Sequence, residues 1–215
     1  MSSRDEILGR IRSGLASGPA APLPPVNEVW ARCQPSIDQM AERFATELAA
    51  VHGEAIRCPD MAAARAKLLE LVKPGTGQIG AMDRPLCREL ARGMESDRLA
   101  FPQPEWTPQG MEPLAAGLLE ADFLLADTGS AMISCATPHE RVLCYLPPLG
   151  VIVAPAERLK EHLPAAWEAV AGRAADPALR GEFVFVTGPS RTADIEKILI
   201  LGAHGPKRLV VLVVG

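Results

Sequence analysis

Near the end of the chain two short apolar runs, Phe183-Val184-Phe185-Val186 and residues 209–214, enclose a polar stretch from Thr187 to Lys207. Both runs are rich in β-branched residues and too short for buried helices, so they predict buried strands. Between them the sequence predicts one short helix. Pro189 fixes its entry, and Ser190 or Thr192 can accept a bond from an orphan backbone N–H. Asp194 and Glu196 put negative charge in its first turn, Gly202 ends it, and Gly205-Pro206 turns the chain into the last strand. A loop carrying Ser190, Arg191 and Thr192 between a strand and a helix is where α/β folds tend to hold anions.

The rest of the chain alternates in the same way. Ser3-Arg4-Asp5-Glu6 is a capping box ahead of Ile7, Leu8, Ile11 and Leu15, and a Pro-rich segment up to Val26 follows. The expected organisation is therefore an N-terminal helix on a tether, 1–26, and an α/β domain, 27–215. Within the domain a helix over 35–52 places Ile37, Met40, Phe44 and Leu48 on one face. A strand is expected at 54–58, a helix from Asp60 to Leu71, a weak strand at 78–81 and a helix over 84–94. Residues 95–112 suggest an irregular loop, and 114–119 a helical turn. Strands follow at 122–126, 131–134, 141–146 and 150–154. A helix over 158–172 is expected to turn Leu159, Leu163, Trp167 and Val170 inward, with a kink at Pro164. This alternation predicts an α/β fold: a mostly parallel sheet with helices on both faces and a local antiparallel meander.

Composition narrows the partners. Hydrophobic residues make up 48% of the 215, enough for a sizeable core. A formal charge of −4, with no basic run interleaved with aromatics, argues against nucleic acid and anionic lipid. No apolar stretch reaches membrane-spanning length and the first residues are polar, so the expected location is cytoplasmic. Five widely spaced cysteines form no C-x-x-C and no zinc-finger spacing, so no metal site is expected and the cysteines read as reduced thiols.

Three places can carry chemistry. In Asp127-Thr128-Gly129-Ser130 the hydroxyls and backbone N–H groups can hold a phosphate or carboxylate, or the four residues are a tight turn. Around Ser190, Arg191 and Thr192, Arg191 can clamp an oxyanion, or pair with Asp194 three residues on. His204, between glycines, can act as acid/base or donate to a loop carbonyl. Arg141 and His139 are weaker candidates, and His52 and His162, near helix ends, are expected at the surface. No G-x-S-x-G elbow, dinucleotide fingerprint or P-loop is present.

Together these segments resemble a family. Ala121-Asp122-Phe123 through Ser130, Arg141 with Leu146-Pro147-Pro148, the run from Thr187 to Glu196, and Gly202-Ala203-His204-Gly205-Pro206 are similar to the lactate-utilisation (LUD) domain proteins of the lactate-utilisation protein C type. The resemblance implies a fold like that of sugar-phosphate isomerases and coenzyme-A transferases. It also implies an accessory role in oxidising L-lactate to pyruvate, beside iron–sulfur partner proteins. A small anionic metabolite would sit among Thr128, Gly129, Ser130, Arg141, Ser190, Arg191, Thr192 and His204. The alternative is an independent isomerase or acyl-transfer enzyme with Asp127 as base or nucleophile, or a metabolite-binding protein; no cofactor is assigned. Two positions depart from the family pattern: Asp127 stands where Glu is frequent, and Leu149-Gly150 where Val-His is usual.

Overall fold

The computed structural model describes residues 3–16, 33–72, 77–177, 182–193, 199–201 and 205–215. The chain divides into two compact units, Met1–Ala31 and Arg32–Gly215. The first contains helix α1 (Ser3–Ala16), on which Ile7 and Ile11 are exposed. The Pro-rich tether and the expected boundary at residue 26 lie outside the described residues.

The second unit is built on six parallel strands: β1 (Glu54–Cys58), β2 (Ile79–Ala81), β3 (Leu99–Ala100), β4 (Ala116–Glu120), β7 (Leu149–Pro155) and β12 (Arg208–Val214). Their spatial order is β1-β12-β7-β4-β2-β3. The central strands are apolar on both faces, as a sheet covered on both sides requires: Leu118, Val151, Ile152, Val153, Val210 and Leu212 are fully buried. The flanking helices are α2 (Ile37–Ala50), α3 (Met61–Val72), α4 (Pro85–Leu90), α5 (Pro108–Met111) and α6 (Pro138–Leu143). Ser36 opens α2 with a reciprocal capping box to Gln39, and Phe44 and Leu48 anchor the helix in the core.

Between β4 and β7 the chain leaves to make β5 (Phe123–Leu125) and β6 (Ser130–Ser134) of a smaller mixed sheet, which β8 (Leu159–Lys160) and β9 (Phe183–Val186) complete after β7, in the order β8-β5-β6-β9. β6 runs antiparallel to both β5 and β9, and the β5–β6 hairpin is the part of the expected meander that forms. Helix α7 (Leu163–Ala174) packs Ala166 and Val170 against Leu125 and Met132 of this sheet.

Several local expectations are corrected. Residues 116–120 are strand where a helical turn is expected over 114–119, because five consecutive buried residues suit a central strand. Residues 141–146 do not form a strand. Thr137 caps α6 by accepting from Glu140 N at 3.2 Å, with Pro138 in the first turn, and this Thr-Pro-x-Glu start signal outweighs the apolar run behind it. The expected loop at 95–112 contains β3 and α5. Pro164 does not kink α7, since the helix starts at Leu163 and Pro164 falls in its first turn. That phase leaves Trp167 60% exposed rather than inward. His162 is buried, not superficial, because its Nδ1 caps α7 by accepting from Ala165 N at 3.0 Å.

The helix expected after Ser190 is also replaced. β10 (Arg191–Ala193) and β11 (Leu199–Leu201) pair antiparallel there, with Arg191 opposite Leu201. Residues 199–201 are consecutive apolar residues with no polar face, a composition suited to a strand. Asp194 and Glu196, assigned to the first turn of that helix, lie outside the described residues, as does Gly202.

Candidate functional site

The turn from β5 to β6 places Asp127, Thr128, Gly129 and Ser130 beside the C-terminal half of α2. Gly129 has φ +62°, and a Cβ on it would stand 2.7 Å from the Leu48 Cα. Gly188 repeats the arrangement at φ +82°, where a Cβ would stand 2.8 Å from the Val51 carbonyl oxygen. The close approach that glycine allows is thus taken by helix α2 in both loops. The same loops meet through a hydrogen bond between the Ser130 and Thr187 hydroxyls at 2.6 Å. Ser190 N donates to the Pro206 carbonyl at 2.9 Å, joining the loop to the start of β12. Asp127 N donates to the Glu161 carbonyl at 3.1 Å, and Asp127 Oδ1 is buried with no hydrogen-bond partner among the described residues.

Thr128, Gly129 and Ser130 thus meet Thr187 at one end of the β6–β9 pair, while Ser190, three residues on, lies against Pro206, and Arg191 and Thr192 begin β10 directly after it. Arg141 is not with them. It pairs with Glu182 at 2.8 Å, next to Phe183, which lies opposite Ser134 at the far end of β6. Four strand rises, about 13 Å, separate the two ends. His204 lies outside the described residues. His139 is turned elsewhere, with Nε2 2.7 Å from the Trp106 carbonyl.

A second polar cluster escaped the sequence reading. After β2 the chain runs outward to the edge strand β3, and after β4 it runs the other way. The crevice between the carboxyl ends of β2 and β4 is therefore the sheet's switch point, where α/β proteins tend to take ligands. Here the chain's own side chains line it. Asp122, its side chain 1% exposed, accepts from Ser134 N at 2.5 Å through Oδ2. Its Oδ1 lies 2.5 Å from Arg173 and 3.6 Å from Arg84, a Coulombic contact without an aligned hydrogen bond. Arg84 also donates to the Ser134 carbonyl and reaches Glu140 at 3.5 Å. Glu140 in turn accepts from Ala136 N at 2.7 Å. Alongside, Glu120 accepts from Leu86 N at 3.1 Å and pairs with Arg158 at 3.0 Å. The one sequence signal for this cluster was a pair of carboxylates, Glu120 and Asp122, in an otherwise apolar run from 114 to 126. Buried charges of that kind require partners.

Gly150 is buried near the start of the central strand β7, where a Cβ would stand 3.0 Å from Leu209 Cδ1.

A model of the LUD domain matches residues 41–214, which carry all twelve described strands. The chain belongs to the LUD domain family. Lactate utilization protein C of Oceanobacillus iheyensis is 31% identical over 108 residues, covering 48% of this chain and 45% of that one. The Bacillus pumilus protein of the same name is 30% identical over 105 residues, covering 48% and 43%. An uncharacterised Neisseria meningitidis protein is 28% identical over 109 residues, covering 51% and 46%. The match thus spans less than half the length of these relatives. A crystal structure of a DUF162 family protein from Deinococcus radiodurans superposes with a TM-score of 0.61 at 16% identity, covering 84% of this chain and 99% of that one. That likeness establishes the LUD fold as a shared architecture. No described helix of this LUD-domain chain is long and apolar enough to cross a membrane.

Proposed function

We propose that this chain is an accessory subunit of a lactate-oxidising system, working beside iron–sulfur partner proteins and binding a small anion. The observation that carries the reading is the LUD-domain match over 41–214, together with relatives named for lactate utilisation. The anion site is proposed at the end of the β6–β9 pair that carries Thr128, Gly129 and Ser130, with Ser190, Arg191, Thr192 and His204 contributed by the segment after β9. Arg141, held by Glu182 at the far end, is left out of it. Hydroxyl and backbone donors there suit a carboxylate or phosphate, and a guanidinium adds the charge.

The test joins two measurements. Affinity capture with the tagged chain is expected to retain iron–sulfur proteins, and L-lactate or pyruvate is expected to raise the melting temperature, since a ligand selective for the folded state stabilises it. Ser190→Ala and Arg191→Ala should abolish that rise, and Arg141→Ala should keep it. Absence of any iron–sulfur partner would defeat the subunit reading.

One observation favours a second reading. The buried Asp127 Oδ1 without a described partner is the kind of carboxylate that serves as a base, so an isomerase or acyl-transfer enzyme remains the rival. Turnover of a phosphorylated or carboxylated substrate that vanishes in Asp127→Asn would replace the accessory role.

A further inference from the structure

A cavity of about 330 Å³ opens between the first half of α2, the segment leading into it, and the chain just after β5 and β8. Cys33 and Gln34 line it from the segment, Met40 and Arg43 from the helix, and Ala126 and Glu161 from the smaller sheet. It is separate from the Thr128–Ser130 loop, which meets α2 at Leu48 through Gly129. Met40 and Leu48 stand about 12 Å apart along the helix axis.

Two other cavities of similar size also carry one arginine each, and in both the guanidinium is committed. Arg57 pairs with Asp38 at 2.6 Å, and Arg98 donates to the Val72 carbonyl at 3.0 Å. Arg43 makes no ion pair or hydrogen bond with any described residue. The opposite charge in its cavity is held in place. Both Glu161 carboxylate oxygens accept from Cys33 N, at 3.1 and 3.2 Å, and the Glu161 carbonyl accepts from Asp127 N at 3.1 Å. A carboxylate has about four acceptor sites, so Glu161 can take a second donor. The backbone at the cavity is also unusual. Gln34 has φ +48°, a left-handed conformation that among the described non-glycine residues only His52 shares. His52 directly follows the C-cap of α2, where that conformation ends helices, whereas Gln34 precedes the helix. Strain of this kind gathers at ligand sites.

We propose that this cavity is a binding site for a small carboxylic acid bearing a hydroxyl or ammonium group. Arg43 holds the carboxylate, and Glu161 accepts from the hydroxyl or ammonium. A guanidinium presents paired N–H donors that match the two oxygens of a carboxylate, which fixes the charged end of the ligand. Met40 and Ala126 offer its carbon skeleton an apolar surface, and a volume at the small end of ligand pockets restricts the class to short-chain acids. The site stands apart from the anion site proposed around Ser130 and does not depend on the lactate-oxidising role.

Cys33 supplies the readout, because it is exposed and lines the cavity while the other four cysteines are buried. In the native full chain, modification of Cys33 by N-ethylmaleimide, followed by mass spectrometry, is expected to slow as L-lactate or L-alanine is added. Protection by lactate alone supports the site with a hydroxyl donor, and protection by alanine alone supports it with an ammonium donor. Propionate has the same carbon skeleton and carboxylate without either group, and should protect less. Arg43→Gln should weaken protection by at least about tenfold and leave the rate without ligand unchanged. Ser190→Ala, in the separate anion site, should not alter the protection, so failure of that site and failure of this one are distinguishable. Protection by neither lactate nor alanine overturns the proposal, as does protection that survives Arg43→Gln. Equal protection by propionate overturns the role of Glu161.

Discussion

Gly129 and Leu48 meet backbone to backbone: the turn joining β5 to β6 lies so close to α2 that a Cβ on Gly129 would stand 2.7 Å from the Leu48 Cα. Its φ of +62° is also costly for any residue with a side chain. Gly129→Ala therefore combines left-handed backbone strain with overpacking against main chain that cannot rotate away. A loss of about 2–5 kcal/mol is expected from urea unfolding. A loss below about 1 kcal/mol would show that this glycine serves something other than the packing of α2.

Phe44 and Trp167 separate what periodicity can reveal from what it cannot. Phe44 is fully buried, and Phe44→Ala is expected to cost about 3–5 kcal/mol. Trp167→Ala, at a 60% exposed position, should change stability by no more than about 0.5 kcal/mol. Comparable losses from both would mean that Trp167 is covered in solution.

The contrast has a physical origin. A helix that starts at a recognisable cap, as α2 does at Ser36, shows its buried face in the sequence because the cap fixes the phase. Helix α7 is capped by His162, an unusual capping residue, so the sequence extends the helix back to Arg158 and counts Leu159, a strand residue, on its inner face. The parallel strands β2, β7 and β12 were legible because burial on both faces leaves no polar alternation, whereas the equally buried β4 reads as a helical turn and the two-residue β3 as loop. The Asp127–Ser130 turn was legible as a turn, but not the helix of the same chain against which its glycine lies. The buried charge cluster was not legible, because Arg84, Asp122, Glu140 and Arg173 are far apart in sequence and only the sheet topology brings them together.

Glu54 and Arg208 join the edge strand β1 to β12 through two parallel hydrogen bonds at 2.7 and 2.8 Å. The hydrogen bond from Arg208 holds the Glu54 carboxyl below its ordinary value of 4.5. A folded pKa below the unfolded one contributes stability that is complete above the unfolded value and is lost as pH falls through the folded one. Glu54→Gln should therefore destabilise at pH 7 and approach neutrality once pH falls below the lowered folded value. Both side chains are about half exposed, so the difference should stay within about 1 kcal/mol and shrink in high salt. A deficit that grows on acidification would contradict the assignment.

Asp122 is the carboxylate on which α7, the β2–α4 connection and the end of β6 converge, through Arg173, Arg84 and Ser134 N respectively. Asp122→Ala removes the acceptor from a buried backbone N–H and leaves two guanidinium groups without their common counter-charge. Arg84 is mostly buried and cannot reach water readily, whereas Arg173, 41% exposed, can swing outward and recover part of the loss. Breaking a buried pair costs about 3–5 kcal/mol, and the freedom of Arg173 reduces the expected figure to about 2–4 kcal/mol. Asp122→Asn keeps an oxygen for Ser134 N and should fall between wild type and alanine. Arg173→Gln should cost about 1 kcal/mol or less, since Asp122 retains Arg84 and Ser134 N. Paired with Asp122→Asn, its effect should be less than additive, because both changes remove the same contact. Urea unfolding of the four variants checks the order, and an Asp122→Ala variant within about 0.5 kcal/mol of wild type would mean that the cluster adds nothing to the fold.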